Sequence, residues 1–294
     1  MTRFRILEPG EEQAVDAFLA GYPDTSLMLR ANLHAAGLAD HGRPSQATYA
    51  AAFQGGRIEA VAAHCWNGVL LLEAPSHIVQ VVRLAVAASG RSVSGLIGPR
   101  GQVVDARRAL GLAEAPTATD SSDLLYTLAL AALKLPSQLT APGITCCPAR
   151  EADRELLIEW RAAFSVEALG FQNSPALRIS CREQVELLER AGDLWVLRQE
   201  DLPIACATIN ARIREAVTVG GVWTIPAERG RGYARTAVAG MLEAQRARGV
   251  TRAVLFADRS NVSARRAYEA LGFQAAGDYG LVLFHEPQPL GTAP

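Results

Sequence analysis

Between residues 215 and 273 the chain changes element type in a fixed order, and this run limits its possible folds more than any other feature. Residues 216–224 are rich in Val and Thr and read as a strand. Pro226 stops a β-ladder, because it has no N–H to donate. Arg229-Gly230-Arg231-Gly232-Tyr233-Ala234 then reads as a short glycine turn. A helix follows, with Ala234, Ala237, Val238, Met241 and Leu242 at i, i+3, i+4 spacing. Arg246 and Arg248 favour its C-terminal end and Gly249 stops it. Residues 252–257 read as a second strand. After the loop Asp258-Arg259-Ser260, Asn261 can cap a second helix carrying Ala264, Ala267, Tyr268 and Leu271, which Gly272 closes. Strands alternating with helices specify a layered α/β fold.

Strand, glycine turn and helix together are suited to phosphate. The first N–H groups of a helix have no internal partner, and the helix dipole is positive there. Glycine lets the backbone approach an anion without a Cβ in between. Arg231 and Arg235 add formal charge. A tight turn at the start of an amphipathic helix would account for one Gly-x-Gly equally well. Neither the Gly-x-Gly-x-x-Gly pattern of dinucleotide folds nor the Gly-Lys-Ser/Thr of nucleotide-binding P-loops is present.

The chain has 294 residues, 49% of them hydrophobic, which favours two packed domains over one. The segment Leu135-Pro136-Ser137-Gln138-Leu139-Thr140-Ala141-Pro142-Gly143 breaks the pattern near the middle. The expected division is residues 1–134, a linker at 135–143, a second domain at 144–285 and a tail at 286–294. The halves read alike. Strands at 48–53 and 58–65 flank the turn Gln54-Gly55-Gly56-Arg57 in the first, and strands at 194–198 and 203–211 flank Gln199-Glu200-Asp201-Leu202 in the second. Two helical stretches precede each hairpin: 11–20 and 26–36 in the first half, 151–167 and 176–191 in the second. The order of elements implies one α/β unit used twice.

Charge narrows the function. Lys plus Arg is 29 and Asp plus Glu is 30, so no global field attracts nucleic acid or anionic lipid. No stretch approaches the ~20 apolar residues of a membrane-spanning helix, and the N-terminus has no secretory pattern. Cys65, Cys146, Cys147, Cys181 and Cys206 are odd in number with no Cys-x-x-Cys pair, and the histidines are scattered, which argues against a disulfide framework and against a metal site. The expectation is a reduced, cytoplasmic protein.

Arg229-x-x-Gly232-x-Ala234 resembles the Arg/Gln-x-x-Gly-x-Gly/Ala signature of the GNAT superfamily of N-acetyltransferases. The run Asn261-x-x-Ala264-x-x-x-Tyr268-x-x-x-Gly272-Phe273 is similar to that family's fourth helix and the strand after it. The resemblance implies two GNAT-like α/β (α+β) domains, each a mixed, mostly antiparallel sheet flanked by helices. It implies acetyl-CoA as cosubstrate, held where strands four and five splay apart. Backbone groups of Val222, Trp223 and Thr224 would pair with the pantetheine arm, and Gly220-Gly221 would mark a bulge or a close backbone approach. The loop Arg229, Gly230, Arg231, Gly232, Tyr233, Ala234 and Arg235 would hold the pyrophosphate, and Asn261 would hydrogen-bond the arm.

The implied reaction is direct acyl transfer to a primary amine. Tyr268 would be the general acid for the leaving thiolate; the plainer role is a core aromatic. Glu167 would be the base or an acceptor contact, against the plainer role of a solvated helix-end carboxylate, and Glu215 is a second candidate. Trp160 and Phe164 would line the acceptor site. In the first half the signature is absent from the turn Gly98-Pro99-Arg100-Gly101-Gln102, and the helix after it lacks the Asn and Tyr pair. This resembles the degenerate N-terminal half of tandem family members. The expected partner is an amine-bearing small molecule or peptide, with no nucleic acid and no membrane, and the chain a monomer or homodimer. A non-catalytic acyl-CoA sensor that docks a partner is the alternative. A transferase of amino acids from tRNA is the third reading, against which the neutral charge counts.

Overall fold

A computed structural model of the chain describes residues 1–289. It divides into two compact units, Met1–Leu124 joined by the chain from Gly277 onward, and Leu125–Ala276. This is not a division at 135–143. Two strands, β6 (Thr117–Ala129) and β12 (Gln274–Gln288), each pass from one unit into the other. The strand β12 also runs three residues past the expected domain end at 285. Residues 290–294 of the expected tail lie outside the described residues.

The first unit contains β1 (Arg3–Ile6), α1 (Glu12–Ala20), α2 (Leu27–Ala36), β2 (Ala47–Gln54), β3 (Arg57–Cys65), β4 (Val69–Glu73), α3 (Ile78–Ser89), β5 (Val93–Pro99) and α4 (Arg100–Ala109). Its sheet order is β1-β2-β3-β4-β5-β12, with β6 beyond β12. Only β4 and β5 pair in parallel in the registers from β1 to β12. The middle of β2, Ala50-Ala51-Ala52, shows no polar alternation because both faces are covered. Ala50 and Ala52 face Val81, Val82 and Ala85 of α3, while Ala51 faces Val15 and Leu19 of α1.

The second unit contains β7 (Ile144–Pro148), α5 (Arg154–Leu169), α6 (Pro175–Ala191), β8 (Leu194–Gln199), β9 (Leu202–Arg212), β10 (Ala216–Thr224), α7 (Tyr233–Ala247), β11 (Arg252–Asp258) and α8 (Val262–Leu271). Its sheet order is β6-β11-β10-β9-β8-β7. Ser174 caps α6 by accepting from the Leu177 N–H, with Pro175 at the first helical position. The pair α5 and α6 covers one face through Leu157, Ile158, Trp160 and Val185 against Val196, Cys206 and Trp223. The apolar stripe of α7, read above from its spacing, is fully buried at Ala237, Val238, Met241 and Leu242. All five cysteines are free thiols. Among the described residues no helix is long and apolar enough to cross a membrane, and no cluster of His, Cys, Asp or Glu could hold a metal ion.

Candidate active site

Every expected site residue falls in the second unit. Its centre is β10. This strand pairs in parallel with β11 over three residue pairs, from Ala216↔Arg252 to Thr218↔Val254. Both strands continue, to Thr224 and Asp258, without further paired residues, so the sheet opens between them. On its other side β10 pairs with β9, and a register shift falls between Gly220↔Thr208 and Trp223↔Cys206. Three steps on β10 match two on β9, which is a one-residue bulge. Gly221 sits in it at φ +53°, and a Cβ there would stand 2.6 Å from Thr208 Oγ1. Gly221 and Val222 therefore pair with neither neighbouring strand.

A short 3₁₀ turn at Pro226–Glu228 follows β10, and then the glycine turn. Gly232 is the residue before α7, left-handed at φ +84°. The first helical N–H to find a partner is that of Thr236, on the Gly232 carbonyl at 3.0 Å. The N–H groups of Tyr233, Ala234 and Arg235 have no intrahelical acceptor. Two more donors nearby are buried with no partner, Thr224 Oγ1 and Arg235 Nε. Gln138, on the 3₁₀ turn Ser137–Thr140 of the expected linker, accepts from Thr236 Oγ1 at 3.0 Å and backs the turn.

Of the two arginines read as adding formal charge, Arg231 is paired, and Arg229 of the same turn is paired as well. Arg229 lays Nη1 and Nη2 on the Glu167 carboxylate at 2.6 and 3.0 Å. Its Nε donates to the Thr224 carbonyl at 3.1 Å, and its guanidinium lies 4.5 Å from the Trp223 ring centroid. Arg231 pairs with Glu228 at 2.9 Å. The local positive potential therefore comes from the helix start and Arg235. Tyr233, buried, donates to Gln199 Oε1 at 2.8 Å and anchors the helix rather than opening to the loop. Gly230 is left-handed at φ +78°.

Asn261 caps α8, its Oδ1 accepting from the Ala264 N–H at 3.0 Å, which leaves its Nδ2 group for another partner. Tyr268 lies two turns on, half-buried, edge-on to Phe273 with 6.1 Å between ring centroids. Burial pushes its phenol up to about 12. The hydroxyl has no protein partner among the described residues. Glu215 is exposed and precedes β10, six residues from Gly221, at the end where β10 and β11 are still paired. It lies ~20 Å of strand away from the bulge.

An apolar pocket beside the bulge is lined by Trp160, Phe164, Thr208, Gly221 and Trp223. Trp160 and Phe164 both line this pocket, and Trp160 also packs in the core beneath α5. Sequence reading missed Arg161, whose guanidinium enters the same pocket. A lone arginine on a helix reads as a solvated charge, so spacing alone gave no signal.

The first unit needs one correction. The turn Gly98-Pro99-Arg100-Gly101-Gln102 is not its counterpart of the glycine turn, because β5 ends at Pro99 and α4 begins directly at Arg100. The corresponding connection is Ala74-Pro75-Ser76-His77, between β4 and α3. It has half the length of the segment Ile225–Gly232, a proline, and a left-handed His77 (φ +54°) before the helix. Glu73, at the end of β4, is buried there, accepts from the Thr25 hydroxyl and is pushed up by burial.

Residues 155–273 match the model of the acetyltransferase (GNAT) family. Solved structures align along nearly the whole chain. A Drosophila protein is 13% identical with a TM-score of 0.67, covering 96% of this chain and 98% of its own. An acetyltransferase of the GNAT family from Colwellia psychrerythraea is 14% identical with a TM-score of 0.54, covering 96% and 99%. A tandem GNAT protein from the clavulanic acid biosynthesis pathway is 11% identical with a TM-score of 0.53, covering 96% and 97%. These likenesses establish the architecture of two GNAT-like domains. No curated protein matches the sequence.

Proposed function

We propose, from the match of residues 155–273 to the acetyltransferase (GNAT) family model, that the chain transfers an acetyl group from acetyl-CoA to a primary amine. The observation that carries this reading is the opening between β10 and β11, bulged at Gly221 on one side and ended by the glycine turn. The residues fit an extended ligand with a diphosphate. Thr224 Oγ1 and Arg235 Nε are buried donors without a partner. Gly232 places no side chain between the turn and an anion, and the N–H groups of Tyr233, Ala234 and Arg235 have no intrahelical acceptor.

In this reading backbone groups of Val222, Trp223 and Thr224 bind the pantetheine arm as an added strand. Gly230 to Arg235 bind the diphosphate, and Asn261 reaches the arm with its free amide. Arg229 acts as a positioning residue that ties the turn to β10 and α5. Acetyl-CoA supplies the thioester. The neutral amine forms a bond to the thioester carbonyl carbon, its proton passes to water, and the C–S bond breaks. Tyr268 protonates the departing thiolate. Its raised pKa keeps the phenol protonated throughout the neutral range. Glu167 has both carboxylate oxygens engaged by Arg229, so it is read as part of the turn's anchoring and the proton is assigned to water. In the first unit the short Ala74–His77 connection and the buried Glu73 are poorly suited to a diphosphate, which supports a structural role for that half.

Calorimetric titration with acetyl-CoA, followed by a thiol-release screen over amine classes, tests the proposal. Saturable binding with thiol release against at least one amine is expected. Binding without release from any amine would turn the assignment to an acyl-CoA sensor. Absence of binding would overturn it.

A further inference from the structure

The arginines that bridge α5 and α6 have carboxylates to hold. Arg154 pairs with Glu189 at 2.7 Å, Arg182 with Glu155 at 2.7 Å, and Arg178 with Glu159. Arg161 breaks the pattern. It lies on the side of α5 that faces the bulge, and its Nε donates to the neutral amide of Gln184 at 2.9 Å. No carboxylate pairs with it among the described residues. Its guanidinium stacks over the Phe164 ring, 5.3 Å from the centroid. A Cβ on Gly221 would stand 3.3 Å from its Nη1. Ring and amide hold the side chain in place, so the Nη groups are aimed into the pocket without an anion to bind.

A guanidinium is charged at any pH the protein meets. Burial pulls Arg161 below the usual arginine range, and the acidic groups acting on it are the thiols of Cys181 and Cys206. Removing a cation from water is costly unless a counter-charge or hydrogen bonds replace the lost solvent. The pocket supplies one neutral hydrogen bond and a ring face. An acceptor with a carboxylate would complete it, presenting two oxygens to the two Nη groups as guanidinium geometry favours.

We propose that Arg161 binds the carboxylate of the acceptor, so that the amine acetylated belongs to an amino-acid-like molecule and not to a simple or polycationic amine. This rests on the acyl-transfer reading above. It also fits the chemistry of attack. A fixed cation in the pocket repels an ammonium group, which favours the neutral amine that the reaction needs. A carboxylate on the acceptor offsets that repulsion for binding.

The test compares amino acids with their carboxamides, in which the amine is kept and the anion is lost. The wild-type chain, Arg161→Gln and Arg161→Lys are each assayed for thiol release and for acetyl-CoA binding by calorimetry. A charge-assisted pair contributes on the order of 10- to 100-fold. The wild type is expected to favour the acids by about that factor in kcat/KM, expressed in KM. Arg161→Gln should abolish the preference and leave acetyl-CoA affinity unchanged, and Arg161→Lys should restore part of it. Equal use of acids and amides by the wild type, or a preference that survives in Arg161→Gln, overturns the assignment of Arg161 while acetyl-CoA binding persists. Loss of acetyl-CoA binding in the wild type overturns both readings.

Discussion

The guanidinium of Arg229 holds the carboxylate of Glu167 on both Nη atoms, which fastens the turn after β10 to the far end of α5. Both side chains are substantially exposed, so the pair contributes little by itself; surface pairs give ~0–1 kcal/mol. Glu167→Gln is expected to change thiol release by less than about tenfold and acetyl-CoA affinity by less than about threefold. A fall of ~10³ in turnover, in the range of a lost proton acceptor, would restore Glu167 to the role of base. Steady-state kinetics beside calorimetry separates the outcomes.

Gly232 must hold φ +84°. A β-branched residue is strained there by ~1–3 kcal/mol, and its Cβ would lie 3.4 Å from Gln138 Oε1. Gly232→Val should lower acetyl-CoA affinity by at least an order of magnitude and reduce the melting temperature only modestly. Unchanged affinity by calorimetry would show that the turn does not carry the diphosphate.

Tyr268→Phe keeps the edge-on contact with Phe273 and removes only the hydroxyl. Turnover should fall by ~10²-fold or more, with acetyl-CoA affinity preserved. The acid must be protonated to act, and its pKa is raised to about 12. Wild-type activity should therefore rise with pH as the acceptor amine deprotonates, and show no loss attributable to Tyr268 until pH approaches 12. An ordinary tyrosine would begin to fail near 10. A pH–rate profile of both proteins checks the sign and the position.

Gly221→Val tests the bulge. The new Cβ would meet Thr208 Oγ1 at 2.6 Å in a backbone conformation that L side chains avoid. The expected result is a stability loss of ~1–3 kcal/mol with a larger relative loss of turnover than of stability. Denaturant unfolding and thiol release measure the two. Full activity in a stable Gly221→Val protein would show that the bulge plays no part in the site.

Signals confined to a few adjacent residues were legible in the sequence. The turn at Gly232, the stripe of α7, the Asn261 cap and the bulge at Gly220-Gly221 depend on local backbone demands, and each falls where its residues pointed. Partnership across the chain was not legible. Nothing in Gln274 to Gln288 says that Leu281 and Val282 will lie against Ile97 and Leu96. The first-half turn was sought at Gly98 because glycine is the visible marker of such turns, whereas the chain uses His77 in the left-handed conformation. Arg161 gave no sign because its meaning depends on the carboxylate it lacks, and that is settled only when α6 packs beside α5.

The route of β6 and β12 also bears on whether either half can exist alone. The neighbour of β5 is a strand encoded at the end of the chain, and the neighbour of β11 is one encoded before the linker. A chain severed at 135–143 would yield a first piece lacking the strand beside β5 and a second piece lacking the strand beside β11. Each piece would expose an unpaired sheet edge, the surface that promotes aggregation or exchange. Cut at 135–143, neither piece would carry every strand that its sheet uses.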